Sequence, residues 1–496
     1  MRRAAPFLAL LAAALSSGCI DLAPRYHRPA APTPATFPTG PAYPTPAAQQ
    51  RSVVGWREFF SDPKLETVID GALTNNRDLR LAVANIAAAR AQYQVQRAAL
   101  FPTLNAQGSA TYGQAPLSVL EGAAVPGLAG SQTEVNERVY SLTAGVSAYQ
   151  LDLFGKVRNL TRAAQDQYFA TRQARDAAQI TLVTEVAADY LAIGSDRALL
   201  KIAQDTLKSG AETLEVTRRR FENGIDAQLD INQAQTTVQQ ARFDVARLTT
   251  QIAQDRNALD LVVGAPVGED LLPTGIGETV VVLERLPDAV SSSVLLQRPD
   301  VLQAEDQLRA ANANIGAARA AFFPSIELTG YGGLTSLALS TLFRGSAETW
   351  SFAPTVSQTI FDFGANRGAL AFAKAQRDVG VANYEKAIQT AFREVADALA
   401  QRGTIDEQLA AQRDLTAAAA NSLGVSTARY EQGADTYLNV LIAQRTLYSA
   451  RQTLVATQLA EATNLVTLYA ALGGGLEAPA APIAASDLGP SPRPGR

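Results

Sequence analysis

Residues 104–112, Leu104-Asn105-Ala106-Gln107-Gly108-Ser109-Ala110-Thr111-Tyr112, alternate apolar or small residues with polar ones without a break. That is the period of a β-strand with one apolar and one wet face. Leu142-Thr143-Ala144-Gly145-Val146-Ser147-Ala148 shows the same alternation, as do Ile326-Glu327-Leu328-Thr329-Gly330-Tyr331 and Trp350-Ser351-Phe352-Ala353-Pro354-Thr355-Val356. A strand that crosses a bilayer needs roughly 9 to 11 residues, about the length of these runs. Taken singly, each also suits a small soluble sheet.

Their setting is a chain written twice. Phe101-Pro102-Thr103-Leu104 returns as Phe323-Pro324-Ser325-Ile326, and Leu151-Asp152-Leu153-Phe154-Gly155 as Ile360-Phe361-Asp362-Phe363-Gly364. Arg220-Phe221-Glu222-Asn223-Gly224 returns as Arg429-Tyr430-Glu431-Gln432-Gly433, and Gly264 as Gly473. From the Phe-Gly turn onward the offset is constant at 209 residues (155 to 364, 224 to 433, 264 to 473). At the Phe-Pro element it is 222 (101 to 323), so the first half carries 13 extra residues, in the Gly/Ala/Pro-rich stretch around Ala115 to Ser131 where a surface loop is expected to vary.

Between the strands and the end of each half lies helix. No Pro occurs between Tyr140 and Pro266 or between Pro354 and Pro479, and Ala, Gln, Arg, Leu and Glu dominate both stretches. The segment from about Lys156 to Arg220 would run roughly 90 Å as a helix, more than a globular domain needs. Apolar positions such as Leu229, Ala234, Val238, Ala241, Val245, Leu248 and Ile252 recur at spacings of three to five, a stripe that asks for coiled-coil partners.

The N-terminus reads as an export signal. Arg2 and Arg3 precede an apolar run from Phe7 to Leu15 that is too short to span a bilayer. It ends in Leu15-Ser16-Ser17-Gly18-Cys19, small residues before the chain's single Cys, which resembles a bacterial lipoprotein signal although Ser16 stands where Leu is usual. Cys19 is the expected lipidation site; the plain alternative is an ordinary residue beside a standard cleavage site. A Pro-rich stretch, residues 20 to 50, is expected to be an extended, mobile tether.

Composition excludes several functions. Net charge is −4 with both signs mixed along the helices, so no basic stripe offers to neutralise nucleic-acid phosphates. One Cys and one His, His27 in the Pro-rich stretch, leave no disulfide and no Cys/His metal set. Acidic pairs such as Asp226 and Asp230 suit one helical face, but no nucleophile, metal cluster or phosphate-cradling loop accompanies them. No enzyme activity, metal or cofactor is expected.

Four membrane strands cannot close a barrel, since about eight are needed for the smallest, and open edges cannot stand in hydrocarbon. The chain must therefore oligomerise, and cyclic symmetry is the usual solution.

At this point the residues resemble a known family. Ala23-Pro24-Arg25-Tyr26-His27-Arg28-Pro29, Gly55-Trp56-Arg57-Glu58-Phe59-Phe60, Asn75-Asn76-Arg77-Asp78-Leu79-Arg80, Phe101-Pro102, Leu151-Asp152-Leu153-Phe154-Gly155 and Gln297-Arg298-Pro299-Asp300-Val301 together resemble the TolC superfamily of outer-membrane efflux ducts, and within it the lipidated OprM/NodT-like branch. The resemblance implies a mixed α and β membrane protein: a homotrimer with a 12-stranded transmembrane β-barrel, four strands per chain, continued by a long α-helical periplasmic barrel. It implies a passive channel in the cell outer membrane, anchored in outer-membrane lipid, that passes drugs and other small toxic compounds from an inner-membrane resistance-nodulation-division (RND) pump and a periplasmic adaptor, the membrane fusion protein.

The divisions expected on this basis are a lipoprotein signal peptide at 1–18, an N-terminal tether at 19–60, and a first efflux repeat at 61–265 with strands near 102–113 and 139–152. A connector of the equatorial region follows at 266–290, then a second repeat at 291–474 with strands near 324–335 and 349–361, and a disordered tail at 475–496.

In the family two sharp helix-to-helix turns close the channel as an iris-like periplasmic gate. Here these are Phe221 to Asp226 and Tyr430 to Asp435, with Gly224 and Gly433 supplying the permissive backbone of the tips. The resemblance nominates Asp230, Tyr430 and Asp435 as gate residues, with Arg429 a further partner; Asp226 and Asp435 are equally readable as caps of the next helices. Some relatives carry further aspartates on the helix after the second turn, where this chain has Asn439 and Ile442, a departure that speaks against a doubled acidic ring. Two other readings compete: a duct for secreted proteins or heavy metals, and a structural coiled-coil lipoprotein that ties membrane to periplasm.

Overall fold

The computed structural model describes residues 20–44, 55–116, 134–276 and 291–474. The expected signal peptide at 1–18, Cys19, part of the expected tether, most of the expected connector at 266–290 and the expected tail at 475–496 lie outside the described residues. In chain order the main elements are α1 (Pro63–Asn75), α2 (Arg77–Ala98), β1 (Leu104–Pro116), β2 (Glu134–Leu151), α3 (Lys156–Glu222), α4 (Gln228–Val263), α5 (Pro299–Ala320), β3 (Ser325–Ser336), β4 (Glu348–Ser357), α6 (Ala365–Glu431) and α7 (Tyr437–Ala471). The described residues form two compact units, one of residues 20–28, 88–116, 134–169 and 306–382, the other of residues 29–44, 55–87, 170–276, 291–305 and 383–474.

The first unit contains an antiparallel sheet in the order β1-β2-β3-β4. Its register places Leu104 opposite Val146, Ala106 opposite Ala144, Leu142 opposite Leu334, and Phe352 opposite Gly330, so apolar residues share one face. Asn105, Gln107, Ser109, Ser141, Thr143, Thr335 and Ser351 take the other, where the Ser109 and Ser141 hydroxyls meet at 2.7 Å. On the apolar face Trp350 is 81% exposed, Leu104 75% and Val356 66%. A soluble sheet would cover such residues; these need a non-aqueous surrounding.

The alternation in β2 is not unbroken. Its register slips between Val146 and Tyr149, where Ala148 takes a left-handed φ of 54° and its N–H donates to Thr329 Oγ1 at 3.2 Å. This bulge inserts one residue, so that Tyr149 and Leu151 stay with Leu328 and Ile326 on the apolar face instead of flipping to the wet one. Beside it β2 and β3 approach closely: a Cβ on Gly145 would stand 2.2 Å from the Gly330 carbonyl oxygen, and one on Gly333 2.2 Å from that of Leu142.

Residues 20–28 of the first unit, expected to be mobile tether, are extended but tied down. Ile20 N–H donates to the Leu153 carbonyl at 3.1 Å, Arg319 to that of Leu22 at 3.0 Å and Asn312 to that of Pro24 at 2.8 Å. In the second unit Phe37 is buried and stacks on Phe392 with ring centroids 4.9 Å apart, and Trp56, Phe59 and Phe60 belong to the core. Aromatic residues spaced along this stretch bury area that an exposed tether would leave in water.

The second unit is helical. α1 starts at Asp62, whose side chain accepts the Lys64 N–H, and buries Leu65, Val68, Ile69 and Ala72. Its C-terminal end meets the end of α4, where Asn76 donates to the Val262 carbonyl at 2.7 Å and Gly264, at φ 77°, lies against the Asn75 carbonyl with no room for a Cβ. The seam of α4 differs from the stripe expected: Leu229 is exposed, and the buried set is Ile231, Ala234, Ala241, Asp244, Leu248, Leu259 and Val263. Arg298 is buried and joins three segments, donating to Asp300, Glu394 and the Ala471 carbonyl.

Candidate functional site at the two helical tips

In the second unit α3 turns into α4 and α6 into α7 by the same geometry. Gly224 and Gly433 adopt left-handed φ values of 73° and 72°, with nothing within 4 Å of a Cβ on either. The glycines are thus required by backbone conformation and not by crowding. Ile225 N–H donates to the Arg220 carbonyl and Gly224 N–H to that of Phe221, both at 2.9 Å, which satisfies the orphan carbonyls of the helix end. Ala434 and Gly433 do the same for Arg429 and Tyr430.

Each turn is also closed by an ion pair in which Arg reaches the Asp six residues on. Arg220 lies 3.0 Å from Asp226, and Arg429 lies 3.2 Å from Asp435. Up to this point the two tips are copies.

Among their sequence differences, which include Asn223 against Gln432 and Ile225 against Ala434, one changes the contact between them. Tyr430 stands where the first repeat has Phe221, and its hydroxyl donates to Asp226, so that the second hairpin reaches across to the first. The Arg220 guanidinium lies over the Tyr430 ring at 4.4 Å. Tyr430 is 3% exposed and packs with Ala234, Tyr437, Val440 and Leu441. Burial, and then the Asp226 carboxylate, push the Tyr430 hydroxyl above its usual range, which keeps it a donor. Asp226 likewise raises Arg220 and holds it charged.

Asp435 has no such cross-link. Its carboxylate accepts from the Thr436 N–H at 2.8 Å, from Asn439 at 2.6 Å and from Arg429, all in its own turn, and these hold it below the usual carboxylate range. Asp230 accepts the Ala227 N–H at 2.9 Å and caps α4. Of the three residues nominated from the sequence, one therefore bridges the hairpins, one is tied to its own turn and one is a cap. Nor does Asp226 share a helical face with Asp230, since α4 begins only at Gln228. The bridging acid is Asp226, and a signal for it was present: Arg-x5-Asp recurs across both turns at the 209-residue offset.

A second bridge of the same chemistry lies 18 residues further along the chain from each partner, past the turns and between α7 and α4. Tyr448 donates to Asp244 at 2.9 Å, and Gln240 donates to the same carboxylate at 3.2 Å. Burial pushes the Tyr448 hydroxyl well up, and Asp244 adds to it. Among the described residues no group of three His, Cys, Asp or Glu side chains could hold a metal, and no helix is long and apolar enough to cross a membrane.

Comparison with known proteins shows the family. The family model described as outer membrane efflux protein matches residues 68–265 and 290–474, which take in all four strands and both hairpins. The chain belongs to the outer membrane efflux protein family. Within that family it is 44% identical over 471 residues to the probable efflux pump outer membrane protein TtgC of Pseudomonas putida, covering 94% of this chain and 95% of that one. It is 38% identical over 470 residues to the cation efflux system protein CusC of Escherichia coli, covering 95% and 98%. Among solved structures, the open state of the MtrE outer membrane channel of Neisseria gonorrhoeae superposes with a TM-score of 0.81 at 37% identity, over 92% of this chain and 99% of that one. The protein is a TolC-like outer-membrane channel chain of an efflux system.

Proposed function

We propose that three copies of the chain close one twelve-stranded barrel and conduct small organic toxicants from an inner-membrane pump and its periplasmic adaptor to the exterior. The observation that carries this reading is the open four-stranded sheet, with an exposed apolar face and one unpaired edge on each of β1 and β4. Edge-to-edge closure by identical neighbours satisfies those backbone groups and leaves the apolar face to lipid. Cys19 would carry the acyl anchor.

The tips are the proposed gate. In the resting state Tyr430, Asp226 and Arg220 latch the second hairpin to the first, Asp435 and Arg429 stiffen their own turn, and Asp230 holds the start of α4. For cargo, relatives at the 44% level carry the names antibiotic efflux pump and toluene efflux pump outer membrane protein, whereas the cation efflux relative is at 38%. Accumulation of dyes, antibiotics, toluene and metal ions in a host lacking the gene, with and without the complementing gene, tests the reading. Several unrelated organic compounds should accumulate on deletion and clear on complementation. Accumulation of metal ions alone, or of nothing, would refute it.

A further inference from the structure

The first unit contains a charge cluster that the channel and its gate do not use. Residues 20–28 lie along α3 and α5 as a strap. Its main side-chain hold is Asp21, which accepts from Asn159 at 2.9 Å, from Arg162 at 2.9 Å and from the Ala23 N–H at 3.0 Å. Against the cost of its burial, these partners hold Asp21 below the usual carboxylate range. Further along, the Arg309 guanidinium lies 5.3 Å from the Tyr26 ring centroid, and Gly316 leaves room for Ala23, whose Cα would be 2.8 Å from a Cβ there.

Behind the strap is a cavity of about 490 Å³ lined by Asp21, Tyr26, Arg162, Asp166, Arg309 and Asn312, among others. Asp166 lies one turn beyond Arg162 on α3, where side chains four apart are neighbours. From α5, Asp306 and Arg309 face it; from the strap, Asp21, Arg25 and Tyr26 line the same cavity. Yet Arg162 is turned to Asp21, and Arg309 reaches Asp306 at 3.3 Å. Among the described residues no group donates a hydrogen bond to Asp166. A half-buried carboxylate left in that position is costlier charged than neutral.

We propose that Asp166 is a pH-sensitive catch for the strap: protonated, it leaves Arg162 on Asp21 and the strap closed; ionised, it competes for Arg162 and loosens it. Burial and then the neighbouring Asp306 push the Asp166 carboxyl up to about 6. Opening would give the carboxylate water and Arg162, so its proton is bound more tightly in the closed state than in the open one. The closing contribution is complete below the open-state value and is lost as pH rises through about 6.

Hydrogen–deuterium exchange of the full-length protein in detergent, corrected for intrinsic exchange rates, tests this at the amides of residues 22–28. On going from about pH 7.5 to about pH 5, protection should rise about tenfold, the size of one pKa unit of differential proton binding. Asp166→Asn should show the acidic level of protection at both pH values, and Arg162→Gln low protection at both. Asp306→Asn, which removes the neighbouring carboxylate, should move the midpoint to lower pH and serves if Asp166→Asn does not fold. The strap itself contains His27, so His27→Asn is the decisive control and should keep the response. A flat wild-type profile, a response lost in His27→Asn but kept in Asp166→Asn, or an unmoved midpoint in Asp306→Asn would each overturn the proposal.

Discussion

The Tyr430–Asp226 bond, the latch of the proposed gate, makes the two tips unequal, and their inequality can be measured. Tyr430→Phe removes one hydroxyl and nothing else, since Phe occupies the equivalent place, Phe221, in the other tip. The lost interaction is a hydrogen bond from a buried hydroxyl to a carboxylate whose side chain is only 8% exposed. Bonds of this charge-assisted kind contribute about 1.5–3 kcal/mol, or roughly 10- to 150-fold in an equilibrium between closed and open states. Asp226→Ala should do more, because it also strands Arg220, whose guanidinium lies over the Tyr430 ring. Asp435→Ala should do less, because all its partners lie in its own turn. Single-channel recording in planar bilayers reads the fraction of time spent in the open level. The expected order of opening is Asp226→Ala, then Tyr430→Phe, then Asp435→Ala, with the double variant of Asp226 and Tyr430 falling well short of the sum of the singles. If Tyr430→Phe matches the wild type, or Asp435→Ala opens the channel more than Asp226→Ala, the latch reasoning fails.

Other expectations follow from the packing. Gly145→Ala and Gly333→Ala force a Cβ into the backbone of the neighbouring strand and should abolish the heat-modifiable folded band on cold-SDS gels, whereas Gly113→Ala, with nothing within 4 Å of the new Cβ, should not. Arg298→Ala leaves Asp300, Glu394 and the Ala471 carbonyl without their shared cation and should cost about 3 kcal/mol, read as a lowered melting midpoint. Asp189 and Asp196 are pushed up to about 6, chiefly by burial and then by Glu185 and by Asp255 respectively, so the folded state binds their protons more tightly than the unfolded one. Thermal stability should therefore rise as pH falls from about 7.5 to about 5, and Asp196→Asn should reduce that rise. Cys19→Ser should abolish incorporation of labelled palmitate.

Much of this protein is local, and the local part is legible in the chain. Alternation with period 2 over residues 104–112 is a property of neighbours, so β1 could be read directly, and so could helices that run unbroken by Pro for more than sixty residues. The left-handed turns at Gly224 and Gly433 belong to the same class, because a positive φ favours glycine for reasons local to its own backbone. Other features depend on which residues packing brings together. The bulge at Ala148 exists to keep Tyr149 and Leu151 in register with β3, a strand some 180 residues away. The strap's composition suggested mobility, but Asn159, Asn312 and Arg319 tie it down. At the tips the family resemblance nominated Asp230 and Asp435 beside Tyr430; only the start of α4 at Gln228 places Asp226 within reach of Tyr430 and leaves Asp230 as a cap. Periodicity determines how a segment folds on itself, and it says nothing about which side chain 204 residues away a carboxylate will meet. That is decided by helix packing, where rotating a helix by one residue turns a different side chain to the partner.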